Sequence, residues 1–213
     1  MKKSQSSKQW LRRHLNDPYV QRSKRDGYRS RSAYKLTEID DRDKLLKAGQ
    51  LVVDLGAAPG GWAQVVAKRI GPTGKVVAID LLAMEPVSGV TFLQADFGTL
   101  KGLAAVEGAL EGRRVDVVLS DMAPNFTGIS MSDQARTLGL AEVARDFALL
   151  HLQSHGAFVV KIFQGAGYDE YLKSLRSLFA KVLVRKPDAS RDESAEQYLL
   201  ARGLRTPPSA PGT

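Results

Sequence analysis

Residues 54–61, with the sequence Asp-Leu-Gly-Ala-Ala-Pro-Gly-Gly, constrain the fold of this chain more than any other segment. They follow the apolar run 51–53 and precede a stretch, 62–68, with the pattern of a helix. This order predicts a buried strand that turns through a glycine-rich loop into a helix N-terminus, a common place for a nucleotide-like cofactor. A turn without a ligand is the alternative, but Ala-Ala-Pro-Gly-Gly is an unusual sequence for a purely structural turn.

The spacing of the glycines indicates which cofactor this loop would bind. The order G-x-x-x-G-G, with a proline inside, differs from the G-x-G-x-x-G that brings backbone amides against a pyrophosphate. Such a loop suits S-adenosylmethionine better than NAD. Asp54 at the strand end suits a ligand that carries an ammonium and a sulfonium group.

Three further aspartates, Asp80, Asp96 and Asp121, follow later apolar runs. Each of them alone could cap a helix or form a turn. In an open α/β sheet, however, ligands bind outside the carboxyl ends of the strands. We therefore interpret these residues and Asp54 as one cofactor site. In this site we expect Asp80 to accept hydrogen bonds from two ribose hydroxyls and Asp96 to contact the adenine amino group.

Apolar runs and helical patterns alternate along the chain, which predicts an α/β fold. The expected strands are 50–54, 75–80, 90–94, 115–120, 156–162, 181–185 and 197–202, and the expected helices are 32–47, 62–70, 99–111, 134–153 and 169–179. Such alternation indicates a mostly parallel, Rossmann-like sheet of seven strands with helices on both faces. No helix is expected between the last two strands, which predicts an antiparallel strand at the sheet edge. The tail 205–213 is expected to be disordered.

The net charge of +8 lies in residues 1–31, the N-terminal arm. The arm holds ten of the 31 Lys and Arg residues and two of the 23 Asp and Glu residues, so the rest of the chain is balanced. Trp10, Tyr19 and Tyr28 are interleaved with these cations, a pattern that favours RNA binding over a merely solvated tail. The cations expected to contact RNA are Arg12, Arg13, Arg22, Lys24, Arg25, Arg29 and Arg31.

Composition excludes several other classes of protein. The chain has no cysteine, which excludes disulfides and thiolate metal sites, and its three histidines are scattered, so no metal site is expected. No apolar run approaches the length of a membrane span, and the basic N-terminus lacks the apolar stretch of a secretory signal. We expect a cytoplasmic protein without membrane contacts, and a monomer because no exposed apolar stripe stands out.

Two lysines lie where a catalytic role is conceivable. Lys161 interrupts the apolar run 156–163, which is typical of a central strand, where an ammonium is costly unless it is paired or deprotonated. Lys35 lies on the first predicted helix, and Glu196 begins the last strand. If these residues meet Asp121, two cations and two anions share one cleft.

These motifs resemble the FtsJ/RrmJ (RlmE) family of ribosomal RNA ribose 2′-O-methyltransferases. The matching segments are 29–36, 53–62, 120–125, 159–165 and 185–188, followed by Glu196. The resemblance runs from about residue 10 to residue 203 and places the family's Lys-Asp-Lys-Glu tetrad on Lys35, Asp121, Lys161 and Glu196. Glu193 is a nearby alternative for the last tetrad position, but the spacing to Tyr198 favours Glu196 as the tetrad glutamate.

The resemblance implies a class I S-adenosylmethionine-dependent methyltransferase domain over residues 32–204, preceded by the RNA-binding arm. It implies methyl transfer to the ribose 2′-hydroxyl of a uridine in large-subunit (23S) ribosomal RNA within the assembled subunit, late in ribosome maturation, with S-adenosyl-L-homocysteine as the product. Cofactor contacts are expected at Asp54, Gly56, Ala57, Pro59, Gly60, Trp62, Asp80, Leu81, Asp96, Phe97 and Asp121.

Lys161 is the predicted proton acceptor for this hydroxyl. Asp121 and Glu196 favour its charged form, while burial and Lys35 favour the neutral amine, so a role in orienting the hydroxyl stays open. The rival interpretations are an NAD-dependent oxidoreductase, a base methyltransferase and a non-catalytic RNA-binding ribosome-assembly factor that retains the fold. The oxidoreductase is disfavoured because G-x-G-x-x-G is absent. The base methyltransferase is disfavoured by the sequence Asp-Met-Ala-Pro at 121–124, and the assembly factor by the intact tetrad.

Overall fold

A computed structural model describes residues 17–124, 130–191 and 194–205, with the side chains of the second segment from residue 133 onward. Its helices are α1 Pro18–Arg25, α2 Ser32–Asp43, α3 Gly61–Ile70, α4 Leu100–Leu110, α5 Ser130–His151 and α6 Tyr168–Leu178. Its strands are β1 Leu51–Leu55, β2 Lys75–Asp80, β3 Val90–Gln94, β4 Val115–Ser120, β5 Leu152–Phe163, β6 Phe179–Arg185 and β7 Glu196–Leu204. Arg12, Arg13 and residues 206–213 of the predicted disordered tail lie outside the described residues.

The seven strands form one sheet with the order β3-β2-β1-β4-β5-β7-β6. The pairs from β3 to β5 are parallel, and β7 runs antiparallel to both β5 and β6. The predicted mostly parallel, seven-stranded α/β sheet with an antiparallel edge is therefore confirmed. The antiparallel strand is β7, which lies between β5 and the edge strand β6. It is antiparallel because the chain passes from β6 to β7 without a crossover helix.

Two apolar layers cover the faces of the sheet. One packs α4, α5 and α6 against side chains such as Val53, Phe158 and Val160. The other packs α2 and α3 against Val52 and Val159, among others. Alternate residues of a strand point to opposite faces, so strands buried on both sides have continuous apolar sequences. Each large side chain buried in this way contributes about 1.5–3 kcal/mol.

The described part of the N-terminal arm is folded against the body of the protein. Asp17 caps α1 by accepting the Tyr19 N–H at 3.0 Å, and Pro18 occupies the first helical turn. The ring of Tyr34 in α2 lies 5.6 Å from the rings of both Tyr19 and Tyr28. The sequence did not predict α1, because its eight residues are mostly polar and only two of them are buried.

Element boundaries differ from the predictions at a few places. Helix α2 ends at Asp43 rather than at residue 47, because Lys44 adopts a left-handed conformation with φ of 51° and the Asp40 carboxylate accepts the N–H of Leu46 at 2.7 Å. Leu45 is buried after the helix rather than within it, which mimics a continued helical pattern. Strand β5 begins at residue 152, before the predicted start, in a segment whose polar residues carry no strand signal. Among the described residues, no helix is long and apolar enough to cross a membrane.

Candidate active site

The glycine-rich loop connects β1 to α3 as the sequence predicted. Gly56 and Gly60 have φ of 81° and 107°, in the region that favours glycine, and the Ala58–Pro59 peptide bond is cis. A β-carbon on Gly56 would lie 2.8 Å from Cγ of Met122 and 2.9 Å from its backbone. Glycine at this position therefore lets the loop lie directly against the segment that follows β4.

A cleft of about 580 Å³ opens beside this loop, over the carboxyl ends of β2, β3 and β4. Its size suits a small-molecule site. The predicted cofactor residues in its lining are Gly56, Asp80, Leu81, Asp96, Phe97 and Asp121. The other predicted contacts, at Asp54, Ala57, Pro59, Gly60 and Trp62, are not among its lining residues. Their cofactor contacts stay predictions.

Asp80 joins the loop to the end of β2. Its carboxylate accepts the N–H of Ala58 at 2.9 Å and that of Leu82 at 2.8 Å. Beside it, Leu81 and Leu82 expose 61% and 66% of their surfaces within the cleft. An anchored carboxylate beside exposed apolar surface matches a ligand that combines a ribose with an aromatic base.

Asp96 and Phe97 form the wall of the cleft at the end of β3. The Asp96 carboxylate is exposed and accepts the N–H of Gly98 at 2.9 Å, which fixes its direction. Phe97 is buried and packs edge-on against Phe147 of α5, with 5.4 Å between the ring centroids. The cleft therefore combines a rigid apolar wall with a polar group at its rim.

Asp54 is fully buried, and neither of its carboxylate oxygens has a hydrogen-bond partner among the described residues. Burial, together with the nearby Asp121 and Asp80, raises the pKa of Asp54 to about 8. A buried carboxylate without a partner is costly, and a cationic ligand would offset that cost. The residues at this end of the sheet thus fit the charged end of S-adenosylmethionine.

The four tetrad residues lie together at the carboxyl ends of β4 and β5 and at the start of β7. Lys161 Nζ lies 3.0 Å from Oδ1 of Asp121 and donates to the Asp121 backbone carbonyl at 2.5 Å. Lys35 Nζ donates to Oε1 of Glu196 at 2.5 Å. All four side chains are at most 18% exposed. The predicted convergence of two cations and two anions is present in the structure.

Tyr198 links the two ion pairs. It lies opposite Lys161 in the β5–β7 ladder, and its hydroxyl donates to Oδ1 of Asp121 at 3.0 Å. Lys35 Nζ lies 5.8 Å from the centre of its ring. Burial, Asp121 and Glu196 raise the pKa of Tyr198 well above its ordinary value, so this hydroxyl keeps its proton. Nothing in the sequence around Tyr198 indicated this contact with Asp121.

Ser32 is a further site residue that the sequence analysis missed. Its hydroxyl donates to Oδ2 of Asp121 at 2.7 Å. Its position three residues before Lys35 could have indicated a place in the site, since residues three apart share one face of a helix. Burial would raise the pKa of Asp121, but Lys161, Lys35 and the hydroxyl of Ser32 outweigh burial and lower it. Asp121 is therefore an anion that can fix the orientation of Lys161.

The predicted RNA-binding cations fall into two groups. Arg22, Lys24 and Arg25 are exposed on α1, where both arginines pair with Asp26 and Arg22 also packs over the ring of Tyr34. Arg29 instead donates to the carbonyls of residues 59, 85 and 86, and Arg31 contacts Asp17 and the carbonyl of residue 189. Both of these guanidinium groups have intramolecular partners, and RNA contact by any of the five stays a prediction.

The described residues contain no group of His, Cys, Asp and Glu side chains arranged to hold a metal. The arrangement instead combines a small-molecule cleft with a buried amine whose carboxylate partner, Asp121, also lines that cleft. Such an amine can orient a hydroxyl group or accept its proton next to a bound cofactor.

Several known proteins are similar to this chain in sequence or structure. Ribosomal RNA large subunit methyltransferase E of Halorhodospira halophila is 60% identical over 191 residues, which cover 90% of each protein. The protein of the same name from Dechloromonas aromatica is 55% identical over 205 residues, 96% of this chain and 100% of the relative. A solved structure of a ribosomal RNA methyltransferase from Plasmodium falciparum has 28% identity and a TM-score of 0.73, over 83% of this chain and 98% of that one.

The family model for FtsJ-like methyltransferases matches residues 28–204. This range contains the whole sheet, the glycine-rich loop and all four tetrad residues. The resemblance seen in the sequence is thereby confirmed, and this chain belongs to the FtsJ-like methyltransferase family.

Proposed function

We propose that this chain transfers a methyl group to the ribose 2′-hydroxyl of a uridine in large-subunit (23S) ribosomal RNA. The observation that carries the proposal is the buried Lys161, which is paired with Asp121 at the rim of the small-molecule cleft. An amine in that position suits a hydroxyl acceptor, which must lose a proton as it attacks. The choice of large-subunit RNA rests on the names of the relatives.

The methyl donor that we assign to the cleft is S-adenosylmethionine, which leaves as S-adenosyl-L-homocysteine. When bound, this cofactor supplies a methyl group activated by its sulfonium. Asp80 would accept hydrogen bonds from the ribose hydroxyls beside Leu81, and Asp96 would accept a hydrogen bond from the adenine amino group. Asp54 would balance the positive charge of the ligand, which is supported by its two unpartnered oxygens.

Lys161 is the proposed acceptor of the hydroxyl proton. Bound in the cleft, the cofactor would supply the methyl group, and Lys161 would take up the proton that the ribose hydroxyl loses as its oxygen attacks. Asp121 would hold this amine in place, while Lys35 and Glu196 would orient the ribose. Holding the oxygen and the methyl group in line supplies much of the rate in reactions of this type.

The exposed cations of α1 support the RNA part of the proposal. Arg22, Lys24 and Arg25 lie on the helix that packs against Tyr34, the neighbour of Lys35. Positive charge at the edge of the tetrad would hold phosphates near the acceptor ribose. We further propose that the chain acts as a monomer in the cytoplasm, on the assembled large subunit, late in maturation.

The experiment is a transfer assay with labelled S-adenosylmethionine. Unmodified large subunits and naked 23S RNA are the two substrates, and the product RNA is digested to nucleosides. The proposal predicts label in 2′-O-methyluridine and faster transfer to the subunit. Label on a base would overturn the assignment of the acceptor. Subunit binding without any transfer would favour a ribosome-assembly factor that only retains the fold.

A further inference from the structure

A chain of contacts connects helix α1 to the tetrad through Arg31. This residue lies directly before α2, and its two terminal nitrogens contact the carboxylate of Asp17 and the backbone carbonyl of Ala189. The side chains of Arg31 and Asp17 are only 15% and 9% exposed. The ion pair therefore joins the cap of α1 to the segment between β6 and β7.

The segment 187–191 carries this connection to Glu196. The Ser190 hydroxyl donates to Oε1 of Glu196 at 3.0 Å, the same oxygen that accepts from Lys35. Ala189 and Ser190 are buried, and Ser190 N–H closes a turn onto the carbonyl of residue 187 at 2.8 Å. A shift of this turn would move the hydroxyl that fixes one end of the Lys35–Glu196 pair.

The surroundings of Arg31 distinguish it from the exposed cations of α1. The guanidinium carbon lies 5.6 Å from the ring centre of Tyr19, and the terminal nitrogens are engaged by protein groups. Arg25 also pairs with an aspartate, Asp26, through its Nε at 2.9 Å, but its side chain is 73% exposed. An RNA phosphate could approach the exposed side chain of Arg25, but it would have to displace Asp17 or Ala189 to reach the terminal nitrogens of Arg31.

We infer that Arg31 is a positioning residue for the Lys35–Glu196 pair rather than an RNA contact. It acts through segment 187–191 and the hydroxyl of Ser190. This inference rests on the proposed function, because the pair matters only if it orients the acceptor. It replaces the RNA-binding role that the sequence alone indicated for this arginine.

The test compares Arg31→Met, Arg31→Lys, Ser190→Ala and the double variant Arg31→Met/Ser190→Ala. We expect Arg31→Met to slow single-turnover transfer between about tenfold and a hundredfold at saturating RNA, as misplacement of an orienting group does. Its RNA affinity and the dependence of that affinity on salt should stay as in the wild type. Arg31→Lys should restore only part of the rate, because one ammonium cannot reproduce the two-pronged contact.

The double variant tests the route. If Arg31 acts through Ser190, the double variant should be no slower than the slower single variant. If the fold-loss of the double variant equals the product of the two single fold-losses, the two residues act independently, and the route through Ser190 is overturned. A weaker RNA affinity with a salt slope reduced by about one would mean that Arg31 contacts a phosphate instead.

Arg145→Met is the matched control. Arg145 is also an arginine paired with an aspartate, but it lies on α5, which packs on the face of the sheet opposite to α2. It should leave the transfer rate unchanged. Thermal melting and cofactor titration give the folded fraction of each variant. If Arg31→Met does not fold, the comparison is made with Arg31→Lys instead. Absence of transfer by the wild type would refute the proposed function, whereas wild-type rates in Arg31→Met would refute this inference alone.

Discussion

Replacing Asp54 with asparagine should stabilise the protein while weakening its cofactor binding. Asp54 is fully buried without a partner, and its pKa is raised from 3.8 to about 8. Between these two values the folded protein retains a proton that the unfolded chain releases. The free energy of unfolding of the wild type therefore falls as pH rises through this window, by about 1.4 kcal/mol per pH unit for one proton. Above pH 8 this loss levels off.

Asparagine has nearly the same shape and does not titrate, so the variant lacks this slope. Between pH 5 and pH 7 the wild type should lose about 3 kcal/mol relative to the variant. For a chain of this length, that difference corresponds to roughly 5–10 °C in Tm. Denaturant unfolding of both proteins at several pH values measures the slope directly, and any constant difference between the two side chains cancels.

The same substitution should weaken S-adenosylmethionine binding about tenfold or more, the usual cost of losing a hydrogen bond to a charged group. Binding to the wild type should also strengthen as pH rises towards 8, because a cation favours the ionised carboxylate. Parallel stability curves for wild type and variant would refute the account of Asp54 as a buried, protonated acid. An unchanged cofactor affinity would refute its role in the site.

Other parts of the site make three further predictions. Asp80→Ala should raise the Kd for the cofactor measured by calorimetry, because it removes the carboxylate that holds both Ala58 and Leu82; an unaltered Kd would contradict the ribose contact. Gly56→Ala should lower stability by about 1–3 kcal/mol in denaturant unfolding, since its β-carbon would meet Met122 at 2.8 Å, and a neutral effect would contradict this packing. Replacing Lys24 and Arg25 together with alanine should weaken RNA binding and reduce its salt slope by about two; an unchanged slope would exclude phosphate contacts there.

The sheet, the glycine-rich loop and Lys161 could be predicted because their signals are local. Apolar runs alternate with helical patterns, and the glycine spacing at 56–61 identifies the loop without a comparison of structures. Lys161 stands out because a lysine interrupts an apolar strand. These features depend on neighbours in the sequence, which periodicity detects.

The remaining features depend on contacts between distant segments. Arg31 and Ala189 are 158 residues apart, and Ser32 and Asp121 are 89 apart, so no local pattern marks either contact. For the same reason the sequence did not indicate the intramolecular partners of Arg31. Helix α1 was missed because its stability comes from the cap at Asp17 and from aromatic contacts with α2 rather than from an apolar face.

We propose above all that Lys161 promotes transfer to a ribose hydroxyl beside a separately bound cofactor. Its most direct test is single-turnover transfer of labelled methyl groups to large subunits by Lys161→Ala, with cofactor binding measured by calorimetry on the same preparation. We expect the rate to fall by a factor of about 10²–10⁴, the usual contribution of a general base, with the Kd for S-adenosylmethionine nearly unchanged. Transfer to the 2′-oxygen at close to the wild-type rate would contradict the claim.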